Sequence, residues 1–101
     1  MPQEQQQIGV IEERSMVRSA FSMCLKNLRR NVGIAQERLA QECGIDRAYM
    51  GQLERGRHSP TLDTLLRLFP PLGVTFTEFA QEYERCLKRV SRAKKDRKSV
   101  V

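Results

Sequence analysis

Apolar positions recur along this chain with helical spacing. Val17, Phe21, Leu25, Leu28 and Val32 stand four, four, three and four residues apart. That places them on one face of a helix predicted from about Ser15 to Asn31, ended by Gly33. Leu39, Ala40 and Cys43 mark a short second helix, Gln36–Cys43. Gly44 then supplies a residue that takes positive φ where that helix must stop. Ile45 is an apolar anchor, and Asp46 is a good N-cap for a third helix over Arg47–Arg55, closed by Gly56. Thr61 caps a fourth helix, with Leu62, Leu65, Leu66 and Phe69 as its predicted buried face. Pro70 and Pro71 stop or kink it, because proline lacks an N–H and disfavours helix in the residue before it. Thr75 and Glu78 have the capping-box spacing. A fifth helix therefore begins near Phe76, with Phe76, Phe79, Ala80, Tyr83, Leu87 and Val90 as its apolar stripe. No stretch alternates with strand periodicity, so the fold class is all-α.

The segment Gln36–Gly56 is the informative one, because two short helices joined at a glycine turn form a helix-turn-helix pattern. In the second of them Met50 and Leu53 point one way. Arg47, Ala48, Gly51, Gln52 and Arg55 form a stripe on the other side, at i, i+1, i+4, i+5 and i+8. A helix presenting such a flank can lie in the major groove of DNA. At its first turn the Arg47 guanidinium can pair with O6 and N7 of guanine, against the duller alternatives of a phosphate contact or a surface arginine. Gln52 suits adenine or a phosphate, and Ala48 a thymine methyl. Gly51 is costly in mid-helix by about 1 kcal/mol. Either close approach to DNA requires it or the site simply tolerates it. The Tyr49 hydroxyl is placed to bond a phosphate or to pack on the neighbouring helix. Arg55, Arg57, His58 and Thr61 line the following loop, where contacts to phosphates set register rather than sequence preference.

Charge sharpens this picture only once it is located. The chain of 101 residues carries a formal +6. Residues 85–101 hold eight bases and one acid, and residues 1–84 hold ten bases and eleven acids. The bases of the helical part must therefore act through placement, while the tail bases add non-specific, salt-sensitive phosphate affinity. The organisation expected is a disordered arm over 1–14, one domain over 15–90 and a basic flexible tail over 91–101. Cys24, Cys43 and Cys86 form no C-x-x-C or Cys/His pair, which argues against zinc. Cys24 and Cys43 read as small core residues, and Cys86 as the thiol best placed to react. No signal peptide and no membrane-length apolar run is present, so the chain is expected to be cytoplasmic with reduced thiols. One histidine, no plausible carboxylate pair and no glycine-rich phosphate loop disfavour an enzyme. No cofactor, metal or small-molecule ligand is expected.

With its flanks, the motif resembles the Cro and phage-repressor-like helix-turn-helix family, often called the XRE family. The residues that carry the resemblance are Leu28-Arg29, Gln36-Glu37, Leu39-Ala40 and Gly44-Ile45. They continue through Leu53-Glu54-Arg55-Gly56, Pro60, Leu62, Leu65-Leu66 and Leu72-Gly73-Val74, and the similarity runs from about Phe21 to Phe79. The resemblance implies a compact five-helix lambda-repressor-like domain, and the apolar stripe from Phe76 to Val90 extends its C-terminal helix past the usual end of that domain. It implies that Gln36 contacts phosphate or adenine, and that Arg29 and Glu54 pair between the first and third helices as scaffold. The family usually has Ser, Thr or Asn where this chain has Ala35, which cannot accept a cap hydrogen bond, so that helix start either loses about 1 kcal/mol or relies on other partners. Family members also stay helical up to the glycine, which Pro70-Pro71 puts in question here.

The expectation is thus a transcriptional regulator binding double-stranded DNA, a repressor acting as a homodimer on a palindromic operator. Tyr83, Leu87 and Val90 of the last helix either pair with a second copy, the preferred reading, or fold back on their own domain. Within the same class stand an antitoxin and a restriction-modification controller. Outside it stands a protein-interaction adaptor that kept the fold without reading DNA.

Overall fold

The computed structural model describes the backbone of residues 3–100 and the side chains of residues 14–93. Its elements run α1 (Gln3–Val32), α2 (Gln36–Cys43), α3 (Arg47–Glu54), α4 (Leu62–Leu72) and α5 (Phe76–Val100), with no strand among the described residues. The arm expected over 1–14 and the tail expected over 91–101 lie, apart from Arg14 and residues 91–93, outside the described side chains.

Each helix end has a local cause. Gly33, Gly44, Gly56 and Gly73 all take positive φ, and Gly44 and Gly73 are left-handed caps of α2 and α4. At the first of these, the N–H of Gly44 bonds the Gln41 carbonyl and that of Ile45 bonds the Ala40 carbonyl. The Asp46 carboxylate accepts the Ala48 N–H at 3.1 Å, and the Thr61 hydroxyl accepts the Thr64 N–H at 3.2 Å. Thr75 and Glu78 cap each other reciprocally: the Glu78 N–H donates to the Thr75 hydroxyl and the Thr75 N–H to the Glu78 carboxylate. Ala35 makes no side-chain cap to α2, as the sequence requires.

The core is one cluster to which every helix contributes. On α1 it takes Ala20, Phe21, Cys24, Leu25 and Leu28, whereas Val17 and Val32, predicted to share that face, are 40% and 48% exposed. The covered face turns toward Ala20 and Cys24 because α5 lies along that side. The Tyr83 hydroxyl donates to the Val17 carbonyl at 3.2 Å, and Asn27 donates to Glu82 at 3.0 Å. Phe79 is the aromatic centre, its ring 5.3 Å from Phe69, 5.8 Å from Tyr83 and 6.1 Å from Phe21.

α4 departs from its predicted face. Leu68, Phe69 and Leu72 are buried and Leu65 is half-buried, while Leu62 and Leu66 remain exposed. Nor do Pro70 and Pro71 stop the helix, which continues to Leu72. Two missing N–H groups free the carbonyls of Leu66 and Arg67, four residues earlier. The Cys43 thiol of α2 donates to the Arg67 carbonyl at 3.3 Å, so one of the two gains a tertiary partner. The Gly73 and Val74 N–H groups then close the helix on the Pro70 and Phe69 carbonyls.

Cys86, expected to be the reactive thiol, is buried. Burial pushes its pKa up, and the neighbouring Glu82 charge pushes it further. Burial likewise raises Cys24 and Cys43. Low thiolate content and poor access both oppose reaction at these sulfurs. Burial also raises Glu82, but hydrogen bonds from Arg85 and Asn27 outweigh it and hold this carboxyl below its usual range. Among the described residues no buried side-chain nitrogen or oxygen lacks a partner.

Candidate nucleic-acid interface

α3 has one flank locked into the domain and one flank free. Met50 and Leu53 are completely buried at the crossing with α1 and α2. Full burial of one such side chain contributes about 1.5–3 kcal/mol, which fixes the rotation of a helix only two turns long. Glu54, also buried, receives the Arg29 fork from α1: Nε donates to Oε2 at 2.6 Å and Nη2 to Oε1 at 3.1 Å. The remaining arm of the guanidinium donates to the Ile34 carbonyl at 3.0 Å, tying in the α1–α2 turn. Such a two-bond pair fixes direction as well as distance.

A further grip was not legible in the sequence. The Ser22 hydroxyl of α1 donates to the backbone carbonyl of Glu54, one of the acceptors a helix leaves unpaired at its C-terminus. Next to it, Gly56 turns at φ 72°, where an added Cβ would stand 3.5 Å from the Arg18 carbonyl. The end of α3 is thus held by α1 through side chain, backbone and close approach together. Only the helical spacing of Ser22 beside Phe21 and Leu25 could have hinted at this.

On the free flank Arg47 and Ala48 are exposed, and Gln52 is half-buried. Gly51 lies on this flank as its spacing requires, but it is buried rather than open. An added Cβ would meet the Arg55 guanidinium at 3.1 Å, so the Arg55 side chain covers it. Gln36, Asp46, Arg47, Ala48, Gly51 and Arg55 line one open notch between the start of α2 and the outer side of α3. Tyr49 is half-buried beside the core, with its ring 6.1 Å from that of His58. Arg57, His58 and Thr61 are exposed on the loop beyond α3, and the Thr61 hydroxyl is already engaged as the α4 cap.

One charge on this surface was missed. Glu37, in the first turn of α2, places its carboxylate 3.4 Å from the Arg47 guanidinium, and both side chains are at least 70% exposed. With Asp46, it puts two acids beside the principal arginine of the notch. The surface is therefore a mixed one, basic at Arg47, Arg55 and Arg57 and acidic at its α2 edge. Tyr83, Leu87 and Val90, assigned in the sequence to a contact with a second copy, are half-buried against the core of their own domain. Among the described residues no cluster of His, Cys, Asp and Glu could hold a metal ion, and no helix is long and apolar enough to cross a membrane.

Residues 25–79 match the family model described as Helix-turn-helix. The chain is 38% identical over 68 residues to y4dJ of Sinorhizobium fredii, an uncharacterized HTH-type transcriptional regulator, covering 67% of this chain and 83% of that one. It is 41% identical over 59 residues to the HTH-type transcriptional regulator SutR of Escherichia coli, covering 58% of this chain but only 33% of that relative. Among solved structures, the restriction-modification controller C.Esp1396I, a tetramer on its natural 35-base-pair operator, superposes with a TM-score of 0.65 at 27% identity. That superposition covers 70% of this chain and 93% of the controller.

Proposed function

This chain belongs to the helix-turn-helix family of DNA-binding transcriptional regulators, and we propose that it is a dimeric repressor that reads a palindromic operator through α3 in the major groove. The observation that carries this reading is the division of α3. Met50, Leu53 and Glu54 fix its rotation from inside, and that rotation leaves Arg47, Ala48 and Gln52 facing outward. Arg47 reads guanine from the first turn of the helix. Ala48 meets a thymine methyl, and Gln52 pairs with adenine or a phosphate. Gln36, at the start of α2, meets a phosphate where free N–H groups favour an anion. Tyr49, Arg55, Arg57, His58 and Thr61 set the register along the backbone. Gly51, with Arg55 swung aside toward the phosphates, lets the helix approach the base edges closely.

The operator is palindromic because one such helix spans only a short half-site, and two copies related by a two-fold axis read two. The operator-bound tetramer of the C.Esp1396I controller supports assembly of this kind. The repressor acts by occupancy, without catalysis, in the cytoplasm where its DNA lies.

Selection of bound duplexes from a random pool, with competing non-specific DNA present, tests the reading. The expected product is a two-fold symmetric site with half-sites about 34 Å apart. A pool that shows no enrichment over several rounds would instead favour a protein-interaction adaptor with the same fold.

A further inference from the structure

α5 stands on the far side of α1 from α3. Around α1, at about 100° per residue, the residues that touch the end of α3 share one side: Arg18 beside Gly56, Ser22 and Arg29. Cys24 and Asn27 lie roughly opposite, about 160–220° round. These two meet α5, where the Cys24 thiol bonds that of Cys86 and Asn27 donates to Glu82 at 3.0 Å. On α5 itself, exposed Arg85, Lys88, Arg89 and Arg92 fall within an arc of about 100°, on the flank turned away from Tyr83 and Leu87. They line one open hollow with Glu82 and Cys86. Glu82 is committed to Arg85 at 2.7 Å, whereas Lys88, Arg89 and Arg92 form no ion pair among the described residues.

We propose that this basic ridge holds the phosphates of a second duplex, so that the chain joins its operator to another segment of DNA; this rests on the operator reading above. With α1 lying between, the ridge faces away from the duplex in which α3 sits. Bases so placed add little to operator affinity and attract a different polyanion. Length favours a duplex over a small anion. From Arg85 to Lys98 the sequence carries eight bases and one acid, Asp96, along about 20 Å of helix. A duplex offers about one phosphate charge per 1.7 Å, so it can engage the whole run, whereas an isolated phosphate fills only the hollow. None of the large exposed hydrophobic residues among the described side chains lines that hollow. That disfavours a protein partner, whose contact needs an apolar centre.

The full chain bound to an immobilised operator, selected as above, and offered a labelled duplex without that operator tests the ridge. It is expected to retain the labelled duplex at low salt and to release it steeply as salt rises. The triple variant Lys88→Gln, Arg89→Gln, Arg92→Gln keeps Arg85 beside Glu82 and should fold normally by circular dichroism. It should bind the operator within about two-fold of the unmodified chain and retain the second duplex at least about ten-fold more weakly, with the salt slope of that retention lowered by about 2–3. Unchanged retention by the variant, or a loss of salt slope on the operator instead, would overturn the ridge while leaving the operator reading intact. An unmodified chain that holds the operator but ignores the labelled duplex would overturn it as well, and retention of poly-glutamate in its place would mark an acidic protein as the occupant. An unmodified chain that does not prefer the operator to random duplex would overturn that reading and the bridge with it.

Discussion

Two Arg–Glu pairs of the same chemistry stand at opposite sides of α3. Arg29 and Glu54 meet at 2.6 Å with side chains 18% and 5% exposed, in a fork that also holds the Ile34 carbonyl. Arg47 and Glu37 meet at 3.4 Å with side chains 74% and 70% exposed. Inside, removing one partner strands a charge away from water, so the pair acts as a fixed joint between α1 and α3. Outside, water screens both charges and the pair is worth about 0–1 kcal/mol. A DNA base or phosphate can therefore displace Glu37 from Arg47 at little cost. The first pair sets where the helix is, and the second leaves the arginine proposed to read DNA available.

The contrast breaks most visibly at the inner pair. Glu54→Ala should lower the free energy of unfolding by about 3–5 kcal/mol, a fall in melting temperature of roughly 15 °C or more for a domain of this size. Thermal unfolding followed by circular dichroism measures it, and a change below about 1 kcal/mol would mean the joint is not structural. A smaller and opposite effect is expected at the covered glycine. In Gly51→Ala the new Cβ meets only the far end of Arg55, which can move aside. Helix propensity should then raise stability by up to about 1 kcal/mol, while operator affinity falls in a filter-binding titration because the helix stands farther from the bases. Unchanged affinity would mark the glycine as merely tolerated. The smallest effect belongs to the outer pair. Glu37→Ala should alter stability by less than about 0.5 kcal/mol in urea unfolding, and a larger loss would erase the distinction between the two pairs.

What could be read from the chain alone follows from the range of each interaction. The turn between α2 and α3 was legible because Gly44 and Asp46 act on neighbours within a few residues, and the same holds for Thr61, Thr75 and Glu78. The pairing of Arg29 with Glu54 spans 25 positions, and family resemblance rather than spacing pointed to it. The α4 face was misjudged because periodicity shows which residues are apolar but not how much of the arc its neighbours cover. Leu68 and Leu72 therefore lie inside and Leu62 and Leu66 outside. Pro70 and Pro71 sit within the last turn although each withholds an N–H that the helix would use there. The Cys43 thiol bonds one freed carbonyl, and Gly73 caps the end. Ser22 and Glu37 were missed for a common reason, since their partners come from a different helix.

The outward flank of α3 is most directly tested at Arg47. Arg47→Ala should be titrated against the selected operator, against operators altered one base pair at a time, and against random duplex at the same salt. The variant should fold normally and lose about 1–3 kcal/mol on the operator, with preference relaxed at one base pair per half-site and little change on random DNA. Equal losses on operator and random duplex would show that this arginine grips only the backbone and that the flank does not read sequence there.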